Sequence, residues 1–188
     1  MEFDNSFEVP LPPAQAWPVL MDIKGIAPCM PGAQLTEVVD GTTYKGNIAV
    51  RLGPVALTFA GVVKFEEIDN TGHVARVRAH GNDAKGRGSA QAAATFRMEP
   101  TPAGSKVLVH TDLTLSGAVA QYGRGVGMIQ ATATALMNQF ANNLKKQLAS
   151  PPADPADATT PAVKPISATS LAGQVMWNSI KDKLGGKS

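Results

Sequence analysis

Residues 107–148 read VLVHTDLTLSGAVAQYGRGVGMIQATATALMNQFANNLKKQL, and within them the chain changes period. Val107, Val109, Thr111, Leu113 and Leu115 alternate with partly polar neighbours, the two-residue repeat of a strand with one wet face. Beyond Gly117 the apolar residues Val126, Ile129, Ala133, Leu136, Met137, Phe140, Leu144 and Leu148 fall on one face of a helix instead. A long amphipathic helix needs a sheet to lie against, and the upstream chain supplies it. Tyr44, Gly46, Ile48, Val50 and Leu52 alternate with more polar residues. Gly53-Pro54 then turns the chain, and Val55, Leu57, Phe59, Gly61, Val63 and Phe65 repeat the pattern as an antiparallel partner. Ala75, Val77 and Ala79 continue it, as do Ala90, Ala92, Ala94, Phe96 and Met98, with turns at Asp40-Gly41, Asn70-Thr71-Gly72 and Pro102-Ala103-Gly104.

Nearer the start, residues 3–9 form a plausible first strand, stopped by Pro10, Pro12 and Pro13. Residues 14–22 read as a short helix that Pro18 should kink or shorten, and Pro28 with Pro31-Gly32 closes this excursion. The expected fold is α+β: a curved antiparallel sheet wrapped around a long C-terminal helix, with the helical excursion between the first two strands. That is the order of a helix-grip fold. Three segments follow from composition: a ligand-binding domain at 1–148, a Pro/Ala-rich linker at 149–167, and a short amphipathic tail at 168–188. The linker's five prolines among Ala, Thr, Ser and Asp block helix and sheet pairing and favour a semi-extended chain.

The chain has 188 residues, of which 44% are hydrophobic and 17% charged, enough to bury a core. A formal charge of +2 is too small a bias to indicate a nucleic-acid partner. The single cysteine, Cys29, excludes an internal disulfide and a multi-cysteine zinc site, and fits a reducing cytoplasm. No metal is expected. The start is acidic and polar, without a basic leader and apolar run, and reads as a true N-terminus.

The inward parity of the strands is apolar but small, with Gly46, Gly61, Ala75, Ala79, Ala90, Ala92 and Ala94 where a filled core would want leucine or phenylalanine. Interiors pack to crystal density, so something must occupy that space. Two solutions fit: the helix settles closely onto the sheet, or the gap is a pocket with a hydrocarbon wall and an apolar tenant. The run Gly123-Arg124-Gly125-Val126-Gly127 at the start of the helix weighs toward a pocket. Each glycine there is less favourable than alanine by roughly 0.8–1.0 kcal/mol, so the first turn should open as a mouth, although such glycines also permit close helix–sheet contact. Candidate wall residues are Tyr44, Ile48, Leu57, Phe59, Gly61, Val77, Ala92, Ala94, Phe96 and Leu113 on strands; Tyr122, Gly123, Arg124 and Val126 at the mouth; and Ile129, Ala133 and Met137 on the helix. Arg124 is either a donor to a ligand's polar head or a solvated surface residue.

His73, His80 and His110 are scattered, and Asp112 and Glu66 read as solvent-facing strand residues. Cys29 has no base near it in sequence and reads as a small buried thiol. No acid–base pair emerges, so a carrier is favoured over an enzyme such as a hydrolase or cyclase.

Several residues together carry a resemblance. They are Pro10, Trp17, Leu20 and Asp22; Cys29-Met30-Pro31-Gly32; Gly53-Pro54-Val55 with Phe59 and Gly61; Gly86, Gly88 and Ala90; and the run from Leu115 to Arg124 with Phe140. With these the chain resembles the CoxG family of carbon monoxide dehydrogenase accessory proteins, within the START-like helix-grip superfamily, over nearly all of 1–148. The resemblance implies a non-catalytic partner of a molybdenum CO dehydrogenase or related hydroxylase. It also implies a bound isoprenoid quinone, notably menaquinone, and a position at the inner face of the cell membrane. A recruiting protein without ligand is the alternative.

The tail is consistent with an anionic membrane surface. Trp177, Ile180 and Leu184 share a helical face with Met176 at its edge, and Lys181 and Lys183 lie beside them. Each large side chain adds up to ~1.5–3 kcal/mol and each lysine ~1 kcal/mol before the tail's ordering is subtracted, which gives weak, reversible attachment. A docking helix for a protein partner and a disordered end also fit.

Overall fold

A computed structural model of the protein describes residues 1–124 and 126–150, the side chains of 123–126 excepted. The linker and tail assigned from composition, with Met176, Trp177, Ile180, Lys181, Lys183 and Leu184, lie outside the described residues.

The elements run β1 (Glu2–Val9), α1 (Pro13–Met21), α2 (Ile23–Ile26), a 3-10 turn (Ala27–Cys29), β2 (Ala33–Val38), β3 (Thr43–Leu52), β4 (Val55–Asp69), β5 (Val74–Asp83), β6 (Gly88–Thr101), β7 (Gly104–Gly117), a 3-10 segment (Ala118–Arg124) and α3 (Val126–Ala149). The seven strands form one antiparallel sheet in the order β1-β7-β6-β5-β4-β3-β2. Each hairpin pairs sequence neighbours, and β1 crosses over to close on β7. Bulges between Leu35 and Glu37 and between Phe65 and Glu67 add to the curvature. This is the helix-grip architecture, a curved sheet against a long helix.

Two details differ from the sequence expectation. α1 runs through Pro18 to Met21. The N–H that Pro18 lacks deprives only the Ala14 carbonyl of its helical partner, and both residues sit on the exposed side, where water replaces it. β2 is an additional strand whose sequence, AQLTEV, has no clean alternation, because it is an edge strand exposed along most of its length.

The core has two parts. In the first, Phe7, Val9, Val107 and Val109 of β1 and β7 pack on Trp17 and Leu20 of α1 and on Phe140, Ala141 and Leu144 of α3. In the second, Phe3, Leu52, Leu57, Phe59, Val119 and Ile129 gather around the β3–β4 hairpin and the start of α3. Phe140 meets Phe7 edge-to-face, with centroids 5.4 Å apart at 83°. Replacing Phe140 with alanine should destabilise the domain by about 3–5 kcal/mol, read as a lower denaturant midpoint at unchanged slope. An unchanged midpoint would show that α3 is not docked through this contact.

Candidate functional site

Between the two cores lies a cavity of about 420 Å³ whose surface is almost all hydrocarbon. Phe65, Phe96 and Met30 bring the edge of the first core to its wall, and Ile48, Phe59 and Ala90 the edge of the second. Its floor is set by strand register. Leu35, Gly46, Gly61, Gly81 and Ala90 face one another in a single row across β2 to β6. The adjacent row is Tyr44, Val63, Ala79 and Ala92.

The glycines in the first row are required by backbone approach. A Cβ on Gly61 would run into the His80 carbonyl oxygen and the Gly81 Cα, and one on Gly46 into the Gln34 carbonyl oxygen. No side chain can stand at those points, so the floor stays bare. Val63, which reaches the cavity from β4, keeps 37% of its surface exposed, so water reaches the interior.

Of the sequence candidates, Tyr44, Ile48, Phe59, Gly61, Val77, Ala92 and Phe96 line this cavity. The remaining described candidates do not. Leu57 and Ile129 are buried in the second core, with Leu113, Tyr122 and Ala133 packed against it, and Met137 packs on the first core. Ala94 is half-buried in β6 between Val77 and Thr111. The physical reason is that α3 turns its apolar face to the two cores, with Ile129 and Phe140 buried and Ala133 and Met137 half-buried against them. The side chains of Gly123, Arg124 and Val126 lie outside the described residues. The mouth expected at the glycine-rich helix start rests on residues 123–127, largely outside the described residues, and the wall that is described is formed by other elements. That wall comes from β2 to β6 and from Ile23, Ala27 and Met30 in the excursion after α1.

Ile23, Ala27 and Met30 were not among the sequence candidates. Their spacing of four and then three residues puts them on one helical face, the signal that would have found them. The wall's polar side chains are engaged or face outward. The Tyr44 hydroxyl donates to the Gly41 carbonyl (3.1 Å), Lys45 pairs with Glu37 (2.9 Å), and His80 is exposed on the outer parity. Among the described residues no three His, Cys, Asp or Glu side chains converge as metal ligands.

Residues 6–149 match the family model for CoxG of carbon monoxide dehydrogenase. The chain belongs to the CoxG family. Among curated proteins none matches the chain. Solved structures share the fold of this CoxG protein at low identity. A conserved protein from Geobacillus kaustophilus is 19% identical, with TM-score 0.68 over 79% of this chain and 95% of that one. The Zhui aromatase/cyclase from Streptomyces sp. is 14% identical, with TM-score 0.55 over 78% and 92%. Ara h 8.0201 is 14% identical, with TM-score 0.52 over 80% and 99%. These neighbours share the helix-grip fold with the CoxG domain. Among the described residues no helix is long and apolar enough to cross a membrane.

One buried charge pair secures the second core without lining the cavity. The Arg87 guanidinium donates to both oxygens of Asp83 (2.7 and 2.8 Å) and to the Ala56 carbonyl (3.1 Å), joining the β5–β6 turn to the β3–β4 hairpin. The Asp83 carboxylate has no exposed surface and also accepts from the Lys85 and Arg87 backbone N–H groups. Hydrogen bonds from Arg87 hold its carboxyl well below the usual carboxylate range.

The folded protein therefore binds fewer protons than the unfolded chain at low pH. Asp83's contribution is full above the unfolded pKa, ~3.9, and is lost as pH falls toward the depressed folded value. Asp83→Asn should flatten the loss of stability on acidification from about pH 5 to pH 2, measured by denaturant midpoints. Parallel curves for variant and wild type would show that the pair carries no pH-linked stability.

Proposed function

We propose that this CoxG protein is a non-catalytic accessory subunit of a molybdenum CO dehydrogenase or related hydroxylase. Its cavity holds an apolar ligand, a respiratory isoprenoid quinone such as menaquinone, and so couples the enzyme to the membrane electron-transport chain. The observation that carries this reading is the hydrocarbon-walled cavity between the two cores. Its volume, about 420 Å³, falls within the ~300–1,000 Å³ of small-molecule sites, and its wall suits an isoprenoid chain rather than a polar metabolite. The family description supports the dehydrogenase as partner. Carriage is favoured over catalysis because, among the described residues, no acid and base converge on the interior of the cavity.

The 168–188 tail is assigned to the cytoplasmic face of an anionic membrane. Its apolar stripe and lysines give it reversible affinity there. A protein that only recruits the enzyme needs no cavity, and one substitution separates the two roles. Ala92→Trp fills the cavity from β6. Native mass spectrometry of protein purified gently from a quinone-containing host should show a quinone-mass adduct on the wild type and none on this variant, with dehydrogenase association retained. Wild-type protein that repeatedly carries no lipid or quinone would overturn the carrier reading.

Removing residues 168–188 should leave the unfolding midpoint of the domain unchanged and abolish flotation with anionic liposomes. Equal flotation of the full and shortened chains would remove the membrane assignment.

A further inference from the structure

One part of the cavity wall is not sheet. Ile23, Ala27 and Met30 line it from α2 and the following 3-10 turn, in a segment, residues 23–30, that spans between two fixed points. At the near end the Asp22 N–H donates to the Pro18 carbonyl of α1 (3.2 Å), and the Asp22 side chain accepts from the Gly25 N–H (3.2 Å). At the far end Gly32 adopts φ 76°, and its carbonyl accepts from the Ala49 N–H on β3 (2.9 Å), so the chain is tied to the sheet again.

Between these points three hydrogen bonds tie the segment to α3. The Asn143 amide donates to the Cys29 carbonyl (2.9 Å). The Gln147 amide donates to the Gly25 carbonyl (3.1 Å) and its oxygen accepts from the Cys29 thiol (3.0 Å). Cys29 is buried in the first core, and Ile26 and Met30 pack against it. The strands β3 to β6 that make up most of the wall are each laddered to neighbours on both sides. A four-residue helix and a three-residue turn have no such ladder, and a segment held by a few isolated hydrogen bonds opens locally at lower free energy than a paired strand.

We propose that residues 23–30 are the movable wall through which the apolar ligand enters and leaves, and that Asn143 and Gln147 are positioning residues that hold it closed. This rests on the cavity carrying a ligand. Opening withdraws Ile23, Ala27 and Met30 from the cavity and lifts Cys29 out of the first core, because Cys29 sits within the moving segment. The chain's single cysteine therefore reports the motion. Cys29 is 3% exposed, and burial pushes its thiol pKa up, so it reacts with a thiol reagent only when the segment opens.

The test uses the full chain, a thiol-labelling reagent, and N-phenylnaphthylamine as an uncharged apolar dye for the cavity. Gln147→Ala, which removes two of the three polar links, should speed Cys29 labelling about tenfold. Dye association and dissociation should both speed up by about the same factor, with dye affinity within about twofold and the unfolding midpoint near wild type. A gate changes rates in both directions and leaves equilibrium binding in place, whereas a merely structural defect lowers affinity. Asn143→Ala, which frees only the Cys29 carbonyl, should shift the same rates about fivefold and serves if the first variant does not fold. Faster Cys29 labelling with unchanged dye exchange would overturn the proposal and move the route elsewhere. A dye that does not bind the wild type would overturn the cavity reading itself, and labelling measured without dye tells the two failures apart.

Discussion

The architecture depends on how closely β3, β4 and β5 approach at one level of the sheet. At Gly46, Gly61 and Gly81 the backbones leave no room for a Cβ at the first two, and the strip of inner surface they form is bare peptide. Side chains from α3 do not fill the space above it, because α3 is committed to the two cores on either side. A sealed, dry void of about 420 Å³ would remove on the order of 10 kcal/mol at ~24 cal/mol per Å³, as much as the whole stability of a typical domain. The fold avoids that by leaving the cavity open to water, as the exposure of Val63 shows. Hydrocarbon wall in contact with water is itself unfavourable, and an apolar occupant relieves it.

Keeping such a hollow open requires a stiff rim, and the rim is stiffened differently on its two sides. On the second core's side, the Asp83–Arg87 pair and the Ala56 carbonyl bind two hairpins in a charge-assisted network around a buried carboxylate. On the first core, the links from α3 to residues 23–30 are neutral, and Gln147 is exposed. Neutral hydrogen bonds contribute about half as much as charge-assisted ones, so the shell is asymmetric, rigid at the hairpins and yielding at the excursion.

The strands of the β3–β4 hairpin, β5 to β7 and α3 were legible because each has one buried and one wet face, so period reports burial directly. The undersized interior was legible for the same reason, and Gly46, Gly61, Ala79, Ala90 and Ala92 all lie on the cavity. β2 was not, because an exposed edge strand has no buried face to impose alternation. Nor was the ownership of the wall. Ile129, Ala133 and Met137 make the same apolar stripe whether they meet a ligand or a core, and only the three-dimensional position of α3 decides. Ala75 shows the converse limit: it matches the small residues of the cavity in parity and size, yet it is 0% exposed as a member of the first core, whose large side chains include Trp17 and Met98.

The chemistry of the wall bears on how such a protein can be selective. A hydrocarbon surface binds by area removed from water, which rewards length and apolarity and distinguishes poorly between one isoprenoid and another. Discrimination of head groups needs converging polar atoms, and the wall's polar side chains are spent on Gly41 and Glu37 or turned outward. Affinity and identity are therefore separable in this molecule. Under the proposed function, the cavity would supply the first, and the second would fall to the membrane and enzyme surfaces the protein meets. Under the proposed carrier reading, the composition of the surrounding lipid, more than the pocket's own contacts, would set the cargo.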